Sequence, residues 1–175
     1  MALIKSVRGF TPKFGKNCYL AENATVIGDV IMGDDCSIWF QAVVRGDVNS
    51  IKIGNRVNIQ DGVVLHTLYK KSMIEIGNDV SIGHNAVIHG AVLRDSVLIG
   101  MGAIILDDAI IESNTIVAAG SVVKSGTITE PYSIWAGVPA QKVKNITPAE
   151  AREIITHTAE NYVMYASWFQ EPEKQ

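Results

Sequence analysis

The hydrophobic pattern of this chain has a period of six residues. A large aliphatic side chain recurs every sixth position, often followed by glycine, and a small residue lies four places further on, as in IGNRVNIQDGVV and IGNDVSIGHNAV. The phase shifts at three places, through insertions of three and five residues and one deletion. The aliphatic positions are Leu20, Val26, Met32, Ile38, Val44, Ile53, Ile59, Leu65, Ile76, Ile82, Ile88, Leu93, Ile99, Ile105, Ile111, Val117 and Val123.

A period of six fits neither an amphipathic helix, which repeats every 3.6 residues, nor a hairpin protein with turns every ~8–12 residues. It is typical of a parallel β-helix, in which each unit is a short strand plus a corner and three units complete a triangular turn. Successive turns stack about 4.8 Å apart. The aliphatic side chain points into the prism. Cys36 occupies a small position and is interpreted as a core residue, and no Cys-x-x-Cys spacing joins it to Cys18.

The repeat ends after Val123, and the following segment to about residue 145 contains Pro131, Gly137 and Pro139. We expect an irregular strap there. The tetrapeptide TPAE at 147–150 is a capping box with proline at the first helical position, and it predicts a helix over about 148–169 on the outside of the prism. The predicted organisation is a β-helix domain over 1–146, which includes the strap, and a helix with its tail over 147–175.

Composition and charge exclude several classes of partner. The chain has 175 residues, is 47% hydrophobic, and carries a formal net charge of −3 without a basic block. It therefore offers no electrostatic footprint for nucleic acid or for an anionic membrane. No apolar run reaches the ~18 residues that span a bilayer, and the N-terminus lacks the apolar stretch of a signal peptide. We expect one domain in the cytoplasm.

The repeat places three of the four histidines. Arg45, His66 and His89 each follow an aliphatic position, in units five, eight and eleven. Because three units make one turn, these residues form an outward column on one face, with neighbours about 5 Å apart. His66 and His89 are then close enough to share a metal ion, whose Zn–N bonds would be about 2.0–2.1 Å.

His84 falls on the neighbouring face, above Asp61, which follows Gln60. In one chain His84 points around the corner from the column, so it is not expected to complete the same coordination sphere. Prisms packed side by side with threefold symmetry would bring this wall against the column of a second copy. The spacing therefore predicts a homotrimer with one metal site at each interface.

The repeat, the phrase VVRGDV at 43–48, NIQDGVVLHT at 58–67 and IGHNAVIHG at 82–90 resemble the γ-class carbonic anhydrase family over nearly the whole chain. The resemblance implies an all-β solenoid, a left-handed parallel β-helix that forms homotrimers and hydrates carbon dioxide to bicarbonate. His66, His84 and His89 match the three metal ligands. Zinc is the expected cofactor, and imidazole also accepts Fe²⁺ and Co²⁺.

The resemblance also implies roles for five other residues. Arg45 and Asp61 match an ion pair between subunits, and Gln60 matches the residue that hydrogen-bonds the metal-bound hydroxide. Asp47 matches an acidic residue of the same interface, and Tyr162 a helix tyrosine that borders the site. Three neutral imidazoles leave the ion its full charge, which lowers the pKa of a bound water to about 7.

The sequence departs from the best-characterised branch of that family at the residues that move protons. Val48 stands where that branch has a glutamate, and the loop over 67–73 contains Lys70 and Lys71 but no acid. Met164 replaces an asparagine near the substrate. The chain is thus similar to a short-loop branch, and we expect activity that is low or absent.

Two other classes of function stay open. The hexapeptide prism also serves acyl-CoA acyltransferases, and AGVPAQKV at 136–143 resembles their C-terminal region. A histidine would then be the general base that deprotonates a hydroxyl or an amine, and a three-histidine cluster would have no use. A thioesterase-like hydrolase is a further variant. A non-catalytic metal-binding scaffold is the third class, and the fold alone does not distinguish among them.

Overall fold

The computed structural model describes residues 1–170, and the predicted tail over 171–175 lies outside them. It is a parallel β-solenoid of about seven turns followed by a C-terminal helical segment. This architecture matches the parallel β-helix that the six-residue period predicts and the left-handed hexapeptide form that the family resemblance implies. Strands of successive turns pair in parallel and form the three faces of a triangular prism.

An 11-stranded sheet covers the first and third faces. Two long strands, β4 (Thr25–Met32) and β6 (Val43–Ile53), bend around the corner between these faces and belong to both. The other strands of the first face are β1 (Leu3–Lys5), β8 (Val64–His66), β11 (Val87–His89), β14 (Ile104–Ile105) and β17 (Val122–Val123). Those of the third face are β2 (Lys13–Phe14), β9 (Ile74–Ile76), β12 (Val92–Leu93) and β15 (Ile110–Ile111).

An eight-stranded sheet forms the second face. Its strands are β3 (Tyr19–Leu20), β5 (Ser37–Ile38), β7 (Asn58–Ile59), β10 (Ser81–Ile82), β13 (Leu98–Ile99), β16 (Ile116–Val117), β18 (Ser133–Gly137) and β19 (Ala140–Asn145). All neighbours are parallel except β18 and β19, which form an antiparallel hairpin.

The core is the column of aliphatic side chains inside the prism. Every predicted aliphatic position is buried except Leu20, which is half-buried near the open N-terminal end. Burial of each such side chain stabilises the fold by roughly 1.5–3 kcal/mol. Cys36 is 1% exposed, so its interpretation as a packed core residue is confirmed.

A ladder of Asp and Asn side chains explains the recurring phrase Ile-Gly-Asn and its variant Met-Gly-Asp at 32–34. At one corner of the prism each Oδ1 accepts a hydrogen bond from a backbone N–H in the preceding turn. The distances are 2.7 Å from Asp34 to Lys16, 2.8 Å from Asn55 to Asp34, 2.9 Å from Asn78 to Asn55 and 2.7 Å from Asp95 to Asn78. These bonds satisfy backbone donors that the corner would otherwise leave unpaired.

A glycine precedes each of the first three ladder residues, and the close approach of the turns requires it. A Cβ on Gly33 would lie 2.3 Å from Oδ1 of Asn55, and one on Gly77 would lie 2.4 Å from Oδ1 of Asp95. Both distances are far inside van der Waals contact. Stacked turns can therefore reach their normal separation at this corner only where no side chain intervenes.

The segment after Val123 is more regular than the irregular strap predicted from its prolines and glycine. Strands β18 and β19 form a hairpin there, with Val138 and Pro139 in the turn, and β18 extends the second face by pairing with β16. Without β18, the outer edge of β16, the last repeat strand of the second face, would have unpaired backbone groups, and pairing with β18 satisfies them. The aliphatic repeat ends after Val123 as predicted, but the coil continues, because Ile128 forms a parallel bridge with Ile110 before β18 pairs with β16.

The C-terminal helical segment begins at Pro148, and Thr147 and Glu150 form the predicted capping box. It consists of α1 (Pro148–Ala151), a π-helical turn over Arg152–Thr156 that the sequence did not predict, and α2 (His157–Gln170). It packs outside the prism on the second face, where the ring of Tyr162 contacts that of Trp39. No helix of the described chain is both long and apolar enough to cross a membrane.

Candidate metal centre

Arg45, His66 and His89 form the outward column predicted from the repeat. They lie in register on β6, β8 and β11, one residue in each successive turn of the first face. The centroids of the two imidazole rings are 5.3 Å apart. Nδ1 of His66 and Nε2 of His89 face each other at 3.3 Å. The stacking of strands therefore brings one nitrogen from each ring to a common point.

The other nitrogen of His89 is held by a carboxylate. Nδ1 of His89 lies 2.9 Å from both carboxylate oxygens of Asp107, and Oγ of Ser72 donates a hydrogen bond of 2.7 Å to Oδ1 of the same side chain. Burial acts to raise the pKa of Asp107, but the hydrogen bonds from Ser72 and His89 outweigh it and lower that pKa. Asp107 is therefore an ionised acceptor.

The other nitrogen of His66 also faces a carboxylate. Its Nε2 lies 3.3 Å from Oδ1 of Asp47, and Nη1 of Arg45 donates to Oδ2 of Asp47 at 2.7 Å. Burial opposes ionisation of Asp47, but the hydrogen bond and the charge of Arg45 lower its pKa below the usual value. Burial and the nearby Arg45 also lower the pKa of His66, so this imidazole is neutral at neutral pH.

These contacts leave two lone pairs directed at one point. An ionised carboxylate only accepts hydrogen bonds, so the ring nitrogens that face the two carboxylates, Nε2 of His66 and Nδ1 of His89, carry protons. A metal ion binds neutral imidazole, and in that form the two facing nitrogens both carry lone pairs. Two nitrogens bound tetrahedrally to zinc, with bonds of about 2.05 Å, would be separated by about 3.3–3.4 Å. The observed 3.3 Å and the paired carboxylates fit a divalent ion at this point.

The wall around His84 has its own set of contacts. Nδ1 of His84 lies 2.8 Å from Oδ2 of Asp61, which confirms that Asp61 lies beneath it. Oε1 of Gln60 accepts the backbone N–H of His84 at 3.2 Å, while its Nε2 donates to Oδ1 of Asn58 at 3.0 Å. Gln60 is 5% exposed, whereas the side chain of His84 is 39% exposed.

One chain does not assemble three such ligands. Within residues 1–170, no three His, Cys, Asp or Glu side chains of a single chain form a group that could hold a metal ion. The structure brings His66 and His89 together but leaves His84 with Asp61 at the other wall. A third imidazole for the His66–His89 pair would therefore come from another copy.

Tyr162 lies on α2, on the side of Asp61. Burial, and secondarily the negative charge of Asp61, raises the pKa of Tyr162 to about 12. Its hydroxyl is therefore protonated at neutral pH. The family resemblance implies that Tyr162 borders the site, and the structure puts it beside the wall that carries His84 rather than beside the column.

Sequence reasoning missed Asp107 and Ser72. Asp107 does not lie in the histidine column, because the residue in register after His89 is Leu106. Its carboxylate reaches back diagonally to His89. Ser72 lies in the five-residue insertion, where the repeat gives no register. Extension of the column by one turn, with inspection of both neighbouring positions, would have found Asp107.

Known proteins resemble this chain over most of its length. The family model for "Bacterial transferase hexapeptide (six repeats)" matches residues 11–46 and 90–125. "Carbonic anhydrase" of Geobacillus kaustophilus is 45% identical over 152 residues, which cover 87% of this chain and 83% of that protein. "Gamma carbonic anhydrase 2, mitochondrial" of Arabidopsis thaliana is 40% identical over 163 residues, 89% of this chain and 58% of that protein. The chain belongs to the γ-class carbonic anhydrase family.

A solved structure supports the fold of this γ-class chain independently. The hexapeptide transferase family protein from Anaplasma phagocytophilum superposes with a TM-score of 0.90 and 35% sequence identity. The match covers 95% of this chain and 98% of that one. Relatives with the same solenoid therefore carry names from two kinds of chemistry, lyase and transferase.

Proposed function

We propose that this protein catalyses the reversible hydration of carbon dioxide to bicarbonate in a homotrimer. His66 and His89 of one copy, with His84 of a neighbouring copy, would hold a divalent metal at each interface. Zn²⁺ is the proposed ion, and Fe²⁺ and Co²⁺ suit the same imidazole donors. The observation that supports this most strongly is the 3.3 Å approach of two imidazole nitrogens whose partner nitrogens both face carboxylates.

When bound, such an ion supplies a strong nucleophile at neutral pH by acidifying a water molecule. The surrounding side chains hold the imidazole nitrogens in the orientation that binds the ion. Asp47 and Asp107 accept the ring protons of His66 and His89 and so direct the opposite lone pairs to the shared point. Arg45 keeps Asp47 ionised and keeps His66 neutral, since its positive charge lowers both pKa values.

The opposite wall would supply the third ligand and the substrate contacts. Asp61 accepts the Nδ1 proton of His84, so the lone pair of His84 lies on Nε2. Gln60 uses one N–H of its amide for Asn58, and the second remains to donate to an oxygen at the reaction centre. We also propose that Arg45 of one copy pairs with Asp61 of the next. Tyr162, protonated at neutral pH, would border this wall.

Acyl transfer is a second candidate, and one contact favours it. The hydrogen bond between Asp107 and Nδ1 of His89 is also the arrangement that orients a histidine general base. An acyltransferase of this kind would deprotonate its acceptor with His89 and would work without a metal. It would therefore keep its activity in a chelator, whereas carbon dioxide hydration would be lost.

Complementation between variants tests the shared site directly. His66→Ala and His84→Ala should each purify without metal. A trimer of mixed chains contains interfaces in which the column comes from the His84→Ala chain and the third ligand from the His66→Ala chain. Co-expression in equal amounts should restore metal and carbon dioxide hydration to about a quarter of the interfaces. His66→Ala mixed with His89→Ala is the matched control, because no interface then contains all three ligands.

The outcomes separate the candidate functions. Full metal content in His66→Ala alone would show that the ligand assignment is wrong. Metal that returns in the mixed trimer without any hydration would favour a non-catalytic metal-binding scaffold. Acyl transfer from acetyl-CoA by metal-free wild type, lost in His89→Ala, would establish the second candidate instead.

A further inference from the structure

We propose that Asp107 and Ser72 are positioning residues for the metal centre. Asp107 fixes the tautomer and the ring orientation of His89, and Ser72 ties that arrangement to the loop over 67–73. The part of this inference that concerns metal affinity rests on the proposed function. The part that concerns the tautomer of His89 in the metal-free protein does not depend on the proposed function.

Asp107 is placed so that it determines which nitrogen of His89 carries the proton. Both of its oxygens lie 2.9 Å from Nδ1, which makes an Nδ1–H strongly favoured over an Nε2–H. In the Nε2–H tautomer the ring proton would point at Nδ1 of His66 and block the shared point. Without Asp107 the ring would sample both tautomers, and because these exchange rapidly, the Nε2–H form would lower the apparent metal affinity of every chain.

Ser72 connects this carboxylate to the loop. Its hydroxyl proton is donated to Asp107, while its Oγ accepts the backbone N–H of Leu68 at 3.1 Å. Its carbonyl oxygen accepts a hydrogen bond of 2.7 Å from Nδ2 of Asn49. The loop starts at Thr67, directly after the ligand His66. The loop is therefore linked to both histidines of the column. Its first residue is bonded covalently to His66, and Ser72 near its other end is connected to His89 by hydrogen bonds through Asp107.

Gly90 makes the contact between these side chains possible. A Cβ at this position would lie 2.1 Å from Oγ of Ser72 and 2.2 Å from Oδ1 of Asp107. The backbone of Gly90 also has a φ of +60°, which side chains rarely adopt. The glycine after the ligand His89 thus clears the space in which the serine and the carboxylate meet.

The test uses the assembled wild-type protein and variants with Zn²⁺ as the probe. Carboxylate partners of metal-binding histidines typically change metal affinity by about 10–100-fold when they are removed. We expect zinc affinity, measured by competition with a chelating dye, to fall by about that factor in Asp107→Asn and Asp107→Ala. Ser72→Ala should weaken it in the same direction but less. Asp108→Asn is the matched control, since it removes the same charge from the exposed neighbouring residue.

A second measurement does not depend on metal. Nitrogen chemical shifts of the imidazole in the metal-free protein report which ring nitrogen of His89 is protonated. Wild type and Asp108→Asn should show the Nδ1–H tautomer, and Asp107→Ala should show a mixture. An Nε2–H tautomer in wild type, or zinc affinity in both Asp107 variants equal to that of Asp108→Asn, would overturn the inference. Failure of the proposed function looks different, because wild type would then bind no zinc or would bind it without hydration.

Discussion

Nδ1 of His66 lies 3.3 Å from Nε2 of His89 in the next turn of the solenoid, and each ring directs its remaining nitrogen at a carboxylate. In the neutral form that binds metal, the two facing lone pairs would repel each other. A cation at the shared point would attract both lone pairs. As the third ligand, His84 of a neighbouring copy would bind the same cation across an interface. Assembly and metal binding should therefore be coupled.

Removal of the ion should destabilise both the fold and the trimer. Free zinc at about 100 times its dissociation constant would stabilise the native state by about 2.7 kcal/mol. For a chain of this length a chelator should then lower Tm by about 5–10 °C. Sedimentation velocity should show smaller species at the same protein concentration. His66→Ala is the control, since it lacks the site and should not respond. An equal response of this variant would mean that the chelator acts elsewhere.

The corner ladder predicts a large effect of a single methyl group. In Gly54→Ala the new Cβ would lie 2.6 Å from the carbonyl oxygen of Gly77 and 2.9 Å from Oδ1 of Asn78. Because the first of these contacts is to backbone, the turns must separate. We therefore expect the free energy of unfolding to fall by about 3 kcal/mol. Denaturant unfolding measures this free energy.

Gly102→Ala provides the comparison for that substitution. Gly102 has a φ of +66°, but nothing lies within 4 Å of the position that a Cβ would take. Alanine there should cost only the left-handed backbone conformation, about 1–2 kcal/mol. Equal losses of stability in the two variants would show that the close approach at Gly54 is unimportant.

The spacing of the sequence predicts the parts of this structure that follow the repeat. Arg45, His66 and His89 stack as expected because one rule, three units to a turn, fixes their register through two phase shifts. Asp61 lies beneath His84 for the same reason. Strand pairing is set by backbone geometry, so it depends little on which side chains the units carry.

Features outside the repeat depend on side-chain reach and on packing, which spacing does not encode. Asp107 reaches His89 diagonally because Gly90 leaves the space open. Ser72 lies in an insertion, where no neighbouring unit defines its position. The hairpin of β18 and β19 supplies hydrogen-bond partners for the backbone groups of β16, which would otherwise form the open edge of the second face. The trimer is a prediction from spacing and from the family.

Cys18 should be a reactive thiol, and Cys36 should not. The neighbouring Cys36 thiol lowers the pKa of Cys18 to about 7, although burial opposes this, while Cys36 itself is 1% exposed. Since only the thiolate is alkylated, the rate with iodoacetamide should rise with pH and level off about one pH unit above 7. Peptide mass spectrometry measures the rate at each residue.

Cys36→Ala provides the test of that cause. Without the Cys36 thiol the pKa of Cys18 should return towards its ordinary value of about 8.5, and the inflection of the rate profile should move up accordingly. Rapid alkylation of Cys36 in wild type, or an unchanged inflection in the variant, would contradict this effect of the Cys36 thiol on the pKa of Cys18.

The rate of carbon dioxide hydration should depend on buffer. The water that attacks carbon dioxide must lose a proton in each turnover, and a group with a pKa near 7 cannot pass it quickly to bulk water. A fast enzyme needs a relay of matched pKa. Val48 carries no carboxyl group, and the loop over 67–73 contains Lys70 and Lys71 but no Asp or Glu.

We therefore expect slow turnover in dilute buffer and a rate that rises with imidazole concentration at fixed pH and ionic strength. Val48→Glu should lessen that dependence, because it places a carboxylate next to Asp47, the residue that holds His66. Val48→Gln is the matched control, since it has similar size but cannot carry a proton in this way. A fast wild-type rate that does not change with buffer concentration would mean that another group of the protein transfers the proton. Tyr162→Phe would be the first variant to test in that case. If metal-loaded protein shows no carbon dioxide hydration at any buffer concentration, the non-catalytic scaffold is favoured. The supply of a proton acceptor would then not be what limits turnover.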